Sequence, residues 1–119
     1  MMLIKALKSK IHRATVTGAE VDYPGSVAID SGLLEAAGMM PYEVVLIADV
    51  TNGERLETYV VPAEKGSGKV VIMGAAAKKM DEGDIVIIMN FAMFEPKELK
   101  GHKPKVLAMD EKNRIKETL

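Results

Sequence analysis

Asn52-Gly53 stands between two runs of strand-forming residues, Glu43 to Thr51 before it and Glu54 to Val61 after it. Two residues of this type specify a tight hairpin, because glycine and asparagine accept the positive φ angles that match the twist of paired strands. A single hairpin cannot bury its apolar face alone, so the rest of the chain must supply more strands. Glu43 to Thr51 is nearly all apolar, as a strand buried on both faces should be. The return strand stops at Pro62, with Arg55, Glu57, Tyr59 and Val61 on one face and Leu56, Thr58 and Val60 on the other.

Upstream, the β-branched stretch from Lys8 to Thr17 reads as a strand. Alternation places Lys8, Lys10, His12, Ala14 and Val16 on one face and Ser9, Ile11, Arg13, Thr15 and Thr17 on the other. Polar residues on both faces fit an edge strand with solvated lysines or a strand bordering a cleft. Gly18-Ala19-Glu20 reads as a turn, and Val21-Asp22-Tyr23 as a short extended piece kept so by Pro24. Val27-Ala28-Ile29 resumes a strand, with Val27 and Ile29 inward. Asp30 or Ser31 caps a short helix, Gly32 to Ala37, that ends at Gly38.

Downstream, Ala63 to Gly68 is a flexible loop, and Lys69 to Met73 is a strand that breaks at Gly74 into one or two helical turns. Backbone amides at such a start suit a carboxylate or phosphate, although a plain strand-to-helix junction has the same pattern. Asp81 to Asp84 turns the chain into a long apolar strand, Ile85 to Met93. Glu95 to Pro104 reads as a polar loop, Lys105 to Met109 as a last strand and Asp110 to Leu119 as a fraying tail. Many short strands, two short helices and no βαβ rhythm predict a mainly β chain closed, or nearly closed, into a barrel, with residues 1–119 as a single domain.

Composition narrows the chemistry. Sixteen Lys and Arg against seventeen Asp and Glu leave a net charge of −1, which argues against a nucleic-acid surface despite the local cluster Lys5, Lys8, Lys10 and Arg13. There is no cysteine, hence no disulfide, thiol nucleophile or thiolate metal site. His12 and His102 lie far apart, and the carboxylates lack ligand spacing, so no metal site is expected. The apolar start is interrupted by Lys5 and Lys8, and no run reaches membrane-spanning length; a cytoplasmic location is the expectation, with no membrane partner.

Tyr23-Pro24-Gly25-Ser26 then stands out. Gly25 gives the backbone conformations closed to other residues, and Ser26 places a hydroxyl next to the Gly25 carbonyl. Such a peptide is a turn in most chains and a self-cleavage site in a few.

Together with Lys10-Ile11-His12-Arg13, Thr51-Asn52-Gly53-Glu54-Arg55, Thr58-Tyr59 and Gly74-Ala75-Ala76-Ala77, this stretch closely resembles the pyruvoyl-dependent aspartate 1-decarboxylases, over about Lys8 to Asn90. The resemblance implies a double-psi β-barrel with short helices, assembled as a homotetramer. It implies autocatalytic cleavage of a precursor into residues 1–25 and 26–119, leaving a pyruvoyl group made from Ser26. That group replaces pyridoxal phosphate and forms a Schiff base with L-aspartate, which loses carbon dioxide to give β-alanine for pantothenate synthesis. It further implies Tyr59 as proton donor, a role open to a phenol that stays protonated at neutral pH.

Arg55 and Lys10 are the expected partners of the two substrate carboxylates. Thr58, Gly74, Ala75 and Ala76 are expected to contact substrate, with Thr58 also polarising the Gly25 carbonyl during processing. Tyr23 and His12 line the site beside Gly25. Two positions depart from the family pattern: Met73, where many members carry asparagine, and Pro24, where a flexible or acidic residue is usual. Both bear on the speed of self-cleavage, and a maturation helper is left open. A non-catalytic barrel with an intact Gly25–Ser26 bond, or a decarboxylase for another acidic amino acid, are the competing readings.

Overall fold

The computed structural model describes all 119 residues. Nine strands run in chain order as β1 (Ile4–Thr15), β2 (Gly18–Glu20), β3 (Ser26–Asp30), β4 (Val44–Asp49), β5 (Arg55–Ala63), β6 (Val70–Met73), β7 (Ile85–Phe94), β8 (Lys105–Met109) and β9 (Ile115–Thr118). Two short helices, α1 (Ser31–Ala37) and α2 (Pro96–Lys100), and a 3₁₀ turn (Gly74–Lys78) complete the chain. Neighbouring strands follow the order β2-β6-β3-β5-β4-β7-β1-β8-β9. Three pairs are parallel, β1 with β8, β2 with β6 and β3 with β5, and the others are antiparallel. This mainly β fold, with parallel pairs inside a largely antiparallel sheet, agrees with a double-psi β-barrel. No helix is long and apolar enough to cross a membrane.

The core forms because alternate residues of each strand are apolar. Ile11, Val27, Ile29, Val45, Ile47, Val60, Val70, Ile72, Val86 and Ile88 are all fully buried. Each such side chain contributes roughly 1.5–3 kcal/mol relative to exposure. The predicted α1 is present, capped by the Asp30 side chain at Gly32 N and closed by left-handed Gly38. A hairpin joins β4 to β5 where expected, but through the five residues Val50 to Glu54 rather than Asn52-Gly53 alone, and among them only Gly53 takes a positive φ, 79°.

Several expectations change. Strict alternation fails in β1, where Ile11 pairs with Ile88 and Ala14 with Val86, so three residues face two. Arg13 absorbs the extra residue at φ 61°. Ala14 and Val16 therefore join Ile11 in the core instead of sharing the face of Lys10 and His12. Neither is β1 an edge strand, since it lies between β7 and β8. Gly18–Glu20 is a strand on β6, and the turn comes later, around Val21 to Tyr23. β4 is buried on one face only, with Val44 55% exposed.

β5 continues through Pro62, which pairs with Ile29 beyond the end of the β4 ladder and so disrupts nothing there. The expected loop after Glu95 contains α2, started by a Glu95–Glu98 capping box and Pro96. The tail is anchored too. Asn113 is buried and bonds Thr15 N, Thr15 O and Gly68 O at 2.7–2.8 Å, which sets up β9.

Candidate active site

Ser26 opens β3 and is 4% exposed. On one side it pairs with Met73 of β6. On the other, the parallel register Val27↔Val60 sets Ser26 alongside Tyr59. Val27 and Val60 point into the core, so by the pleat Ser26 and Tyr59 share the opposite, outward face. Gly25, one residue before, is exposed, whereas Gly74 behind it is buried.

The same face extends across three more strands. Val44 of β4 pairs with Tyr59, and the row continues through Phe91 of β7 to Leu7 of β1. The next row is Glu57, Leu46, Met89 and Lys10. Arg55 lies one row further on, opposite Ala48. Between its two register shifts, at Leu7/Ser9 and Ile11/Ala14, β1 alternates, which puts His12 on the same side as Lys10. Ser26, Tyr59, Arg55, Lys10 and His12 thus occupy one outward face with an apolar floor. Thr58 points the other way, as the sequence predicts.

This face is broad. Arg55 and Tyr59 are four residues apart on β5, about 13 Å at strand rise, and Lys10 is three strand spacings, about 14 Å, from β5. The face places these residues together but does not bring Lys10, His12 or Arg55 against Ser26 within one chain. A cavity of about 300 Å³ lies on it, lined by Lys5, Val44, Val45, Leu46, Glu57 and Phe91. The Tyr59 ring is 37% exposed and tilts against Tyr42 at 6.3 Å.

Charge on the face is selective. Lys8 is taken up by Glu43 at 2.8 Å. Burial works to raise the Glu43 carboxyl, but the Lys8 ammonium, Met40 N–H and Asn90 side chain outweigh it and hold the group below its usual range. Lys5 lies over the Phe91 ring at 5.3 Å. Lys10 and Arg55 take part in no ion pair. Burial, then Lys10 and Arg13, push the His12 imidazole below its ordinary value. It is therefore mainly neutral at pH 7.

The predicted helical segment after Gly74 is a 3₁₀ turn, with Ala75 exposed and Ala76 half-buried. Tyr23 is 58% exposed on the approach to Gly25. No group of three His, Asp or Glu side chains comes together as a metal site would require. Sequence reasoning put Glu57 on this face without naming it as a site residue, and it missed the Lys8–Glu43 pair. The pair spans residues 35 apart in the chain, which no local pattern shows.

Comparison with known proteins identifies the family. The profile of the aspartate decarboxylase family matches residues 2–116. The aspartate 1-decarboxylase of Thermosipho africanus is 59% identical over 93% of this chain and 91% of its own length. That of Lactiplantibacillus plantarum is 54% identical over 96% and 88%, and that of Syntrophus aciditrophicus 52% over 92% and 95%. With a mainly β fold and near-full-length similarity to these enzymes, the chain belongs to the aspartate decarboxylase family of enzymes.

Proposed function

We propose that this protein decarboxylates L-aspartate to β-alanine in the cytoplasm, as a step towards pantothenate, using a pyruvoyl group made from its own Ser26. The observation that carries the reading is the Gly25–Ser26 junction set beside Tyr59 on the face that also holds Arg55 and Lys10.

In maturation, Ser26 Oγ bonds to the Gly25 carbonyl carbon, the Gly25–Ser26 C–N bond breaks, and the hydroxyl proton ends on the Ser26 nitrogen. Loss of the Ser26 Cα proton then expels the Gly25 carboxylate and leaves dehydroalanine at position 26. Water enters at that carbon and ammonia departs, giving the pyruvoyl group. The residues fit this chemistry. Ser26 is held in the ladder with Met73 on one side and lies next to the first β5 pair, Val27↔Val60, on the other, while the preceding Gly25 is exposed and free of side-chain crowding.

When formed, the pyruvoyl carbonyl supplies the electron sink for loss of carbon dioxide. Arg55 binds one substrate carboxylate as a planar fork, and Lys10 meets negative charge as a point donor. Tyr59 O–H, next to position 26, delivers the proton to carbon. Neutral His12 orients its neighbours. Thr58 serves processing from the inner side, and the Gly74-Ala75-Ala76 backbone contacts the substrate.

Assembly as a homotetramer, with these faces buried between subunits, brings Lys10 and Arg55 within reach of a processed Ser26. The exposed Tyr42, Val44 and Tyr59 support such burial, at 74%, 55% and 37% exposure. Denaturing intact-mass spectrometry tests the reading. Two pieces divided between Gly25 and Ser26, with Ser26→Ala left whole and inactive on aspartate, are expected; one full-length wild-type species refutes self-maturation.

A further inference from the structure

Gly74 adopts φ +81°, and a Cβ built there would lie 2.6 Å from Gly25 Cα, 2.8 Å from Gly25 N and 3.1 Å from Tyr23 O. All three are backbone atoms, so no side-chain rotation relieves the overlap. Positive φ alone does not create this tightness. Gly38, Gly53, Gly66 and Gly83 are also at positive φ, and a Cβ on any of them would meet nothing within 4 Å. Gly25 is the reverse case, for a Cβ there would meet only Met73 O, at 4.0 Å. The close fit at the Gly25–Ser26 bond is therefore set by Gly74, across the ladder that pairs Ser26 with Met73.

We propose that Gly74 is a positioning residue for self-cleavage. Its bare Cα lets the end of β6 close onto the Gly25 backbone and holds the Gly25–Ser26 peptide where the Ser26 hydroxyl reaches the carbonyl carbon. The step it serves is the one in which the Oγ–C bond forms, the C–N bond breaks and the hydroxyl proton passes to the nitrogen. This role rests on the self-cleavage proposed above and is separate from contact with substrate, since it acts on the uncut chain.

A methyl group at position 74 would have to push Gly25 from 2.6 Å to the 3.4 Å where ordinary contact begins, a shift of about 0.8 Å. Misplacement of that size costs on the order of tenfold to hundredfold when a nucleophile must meet its target.

The test follows cleavage of full-length wild type, Gly74→Ala and Gly66→Ala over time by intact mass, with melting temperature recorded for each. Gly66→Ala matches the backbone strain, at φ +83°, without the contact. Wild type and Gly66→Ala should cleave within about twofold of one another, and Gly74→Ala at least tenfold more slowly. Neutral hydroxylamine, which cuts the ester, should not speed Gly74→Ala, because formation of the ester is itself the slowed step. Equal cleavage of Gly74→Ala and Gly66→Ala overturns the proposal, as does prompt hydroxylamine cleavage of Gly74→Ala.

If Gly74→Ala is recovered only unfolded, uncut Ser26→Ala protein decides by NMR. A nuclear Overhauser effect between the Gly25 and Gly74 α-protons, with a Gly25 amide as ordered as β3, supports the clamp, and absence of either overturns it. A wild-type chain that never cleaves removes the proposed function and this role together. A cleaving wild type beside an equally fast Gly74→Ala removes only the role.

Discussion

Asp30 closes the strand that Ser26 opens, and its replacement by alanine should loosen β3 at its far end. One carboxylate oxygen accepts Gly32 N at 2.8 Å and Gly66 N at 2.9 Å, and the other accepts Gly68 N at 2.9 Å. The side chain therefore caps α1 and ties down the loop between β5 and β6. Loss of an N-cap costs about 1 kcal/mol. Gly66 is exposed and Gly68 only half-buried, so their amides regain water in the variant and each adds about 1 kcal/mol rather than a full buried-donor penalty. The expected loss for Asp30→Ala is thus about 3 kcal/mol at neutral pH.

The pH dependence gives a second, sharper test. Burial acts to raise the Asp30 carboxyl, but the N–H groups of Gly68, Gly66, Gly32 and Leu33 overcome it and leave the group below its ordinary value. A depressed carboxyl stabilises the fold above its unfolded value of about 3.9, and that contribution is lost as pH falls through the lower folded value. The gap between wild type and Asp30→Ala should hold from pH 7 to about pH 5 and narrow below about pH 4. Urea unfolding followed by circular dichroism at pH 7, 5 and 3 measures it. A neutral-pH loss below about 0.5 kcal/mol, or a gap that widens in acid, refutes the reasoning.

Asp49→Asn should stabilise the protein at pH 7 and leave it unchanged near pH 4. Burial first, then the facing Asp84, raises the Asp49 carboxyl, so the folded chain holds a proton that the unfolded chain gives up, and wild-type stability falls as pH climbs through that window. The amide keeps the acceptor for Thr51 N and Asn52 N and donates towards Asp84; a gain on the order of 1 kcal/mol in thermal or urea unfolding is expected, and a loss would count against it. Arg55→Ala should leave cleavage at Gly25 intact but lower kcat/KM for aspartate by about 100-fold, mostly through KM, in a carbon dioxide release assay. Unchanged kcat/KM would remove Arg55 from the site.

Most strands were legible because their apolar residues recur with the period of two that a half-buried strand requires. The face holding Arg55 and Tyr59 could be read from β5 alone, since no bulge interrupts it. β1 resisted the same treatment at Arg13. A left-handed arginine has no sequence signature, and a single extra residue moved Ala14 and Val16 to the opposite side. Gly18–Glu20 looked like a turn because its strand character comes entirely from β6, 53 residues away in the register Gly18↔Val71. Asn113 likewise acts through distant backbone at Thr15 and Gly68, which no local pattern shows. As for the site, Ser26 beside Tyr59 follows from strand pairing, and the gap between them and Lys10 becomes visible only once β4 and β7 are placed between β5 and β1.

The interior place of β1 has a consequence for the order of events. A cut between Gly25 and Ser26 would sever β1 and β2 from every strand with which they pair: β1 from β7 and β8, and β2 from β6. The short piece would stay put, gripped along both edges of a twelve-residue strand. Once unfolded, however, the two pieces would be separate solutes, and their reunion would depend on concentration where the first folding did not. Cleavage would turn a reversible single-chain transition into one that dilution makes irreversible. A molecule of this topology would have to complete its fold before any such cut.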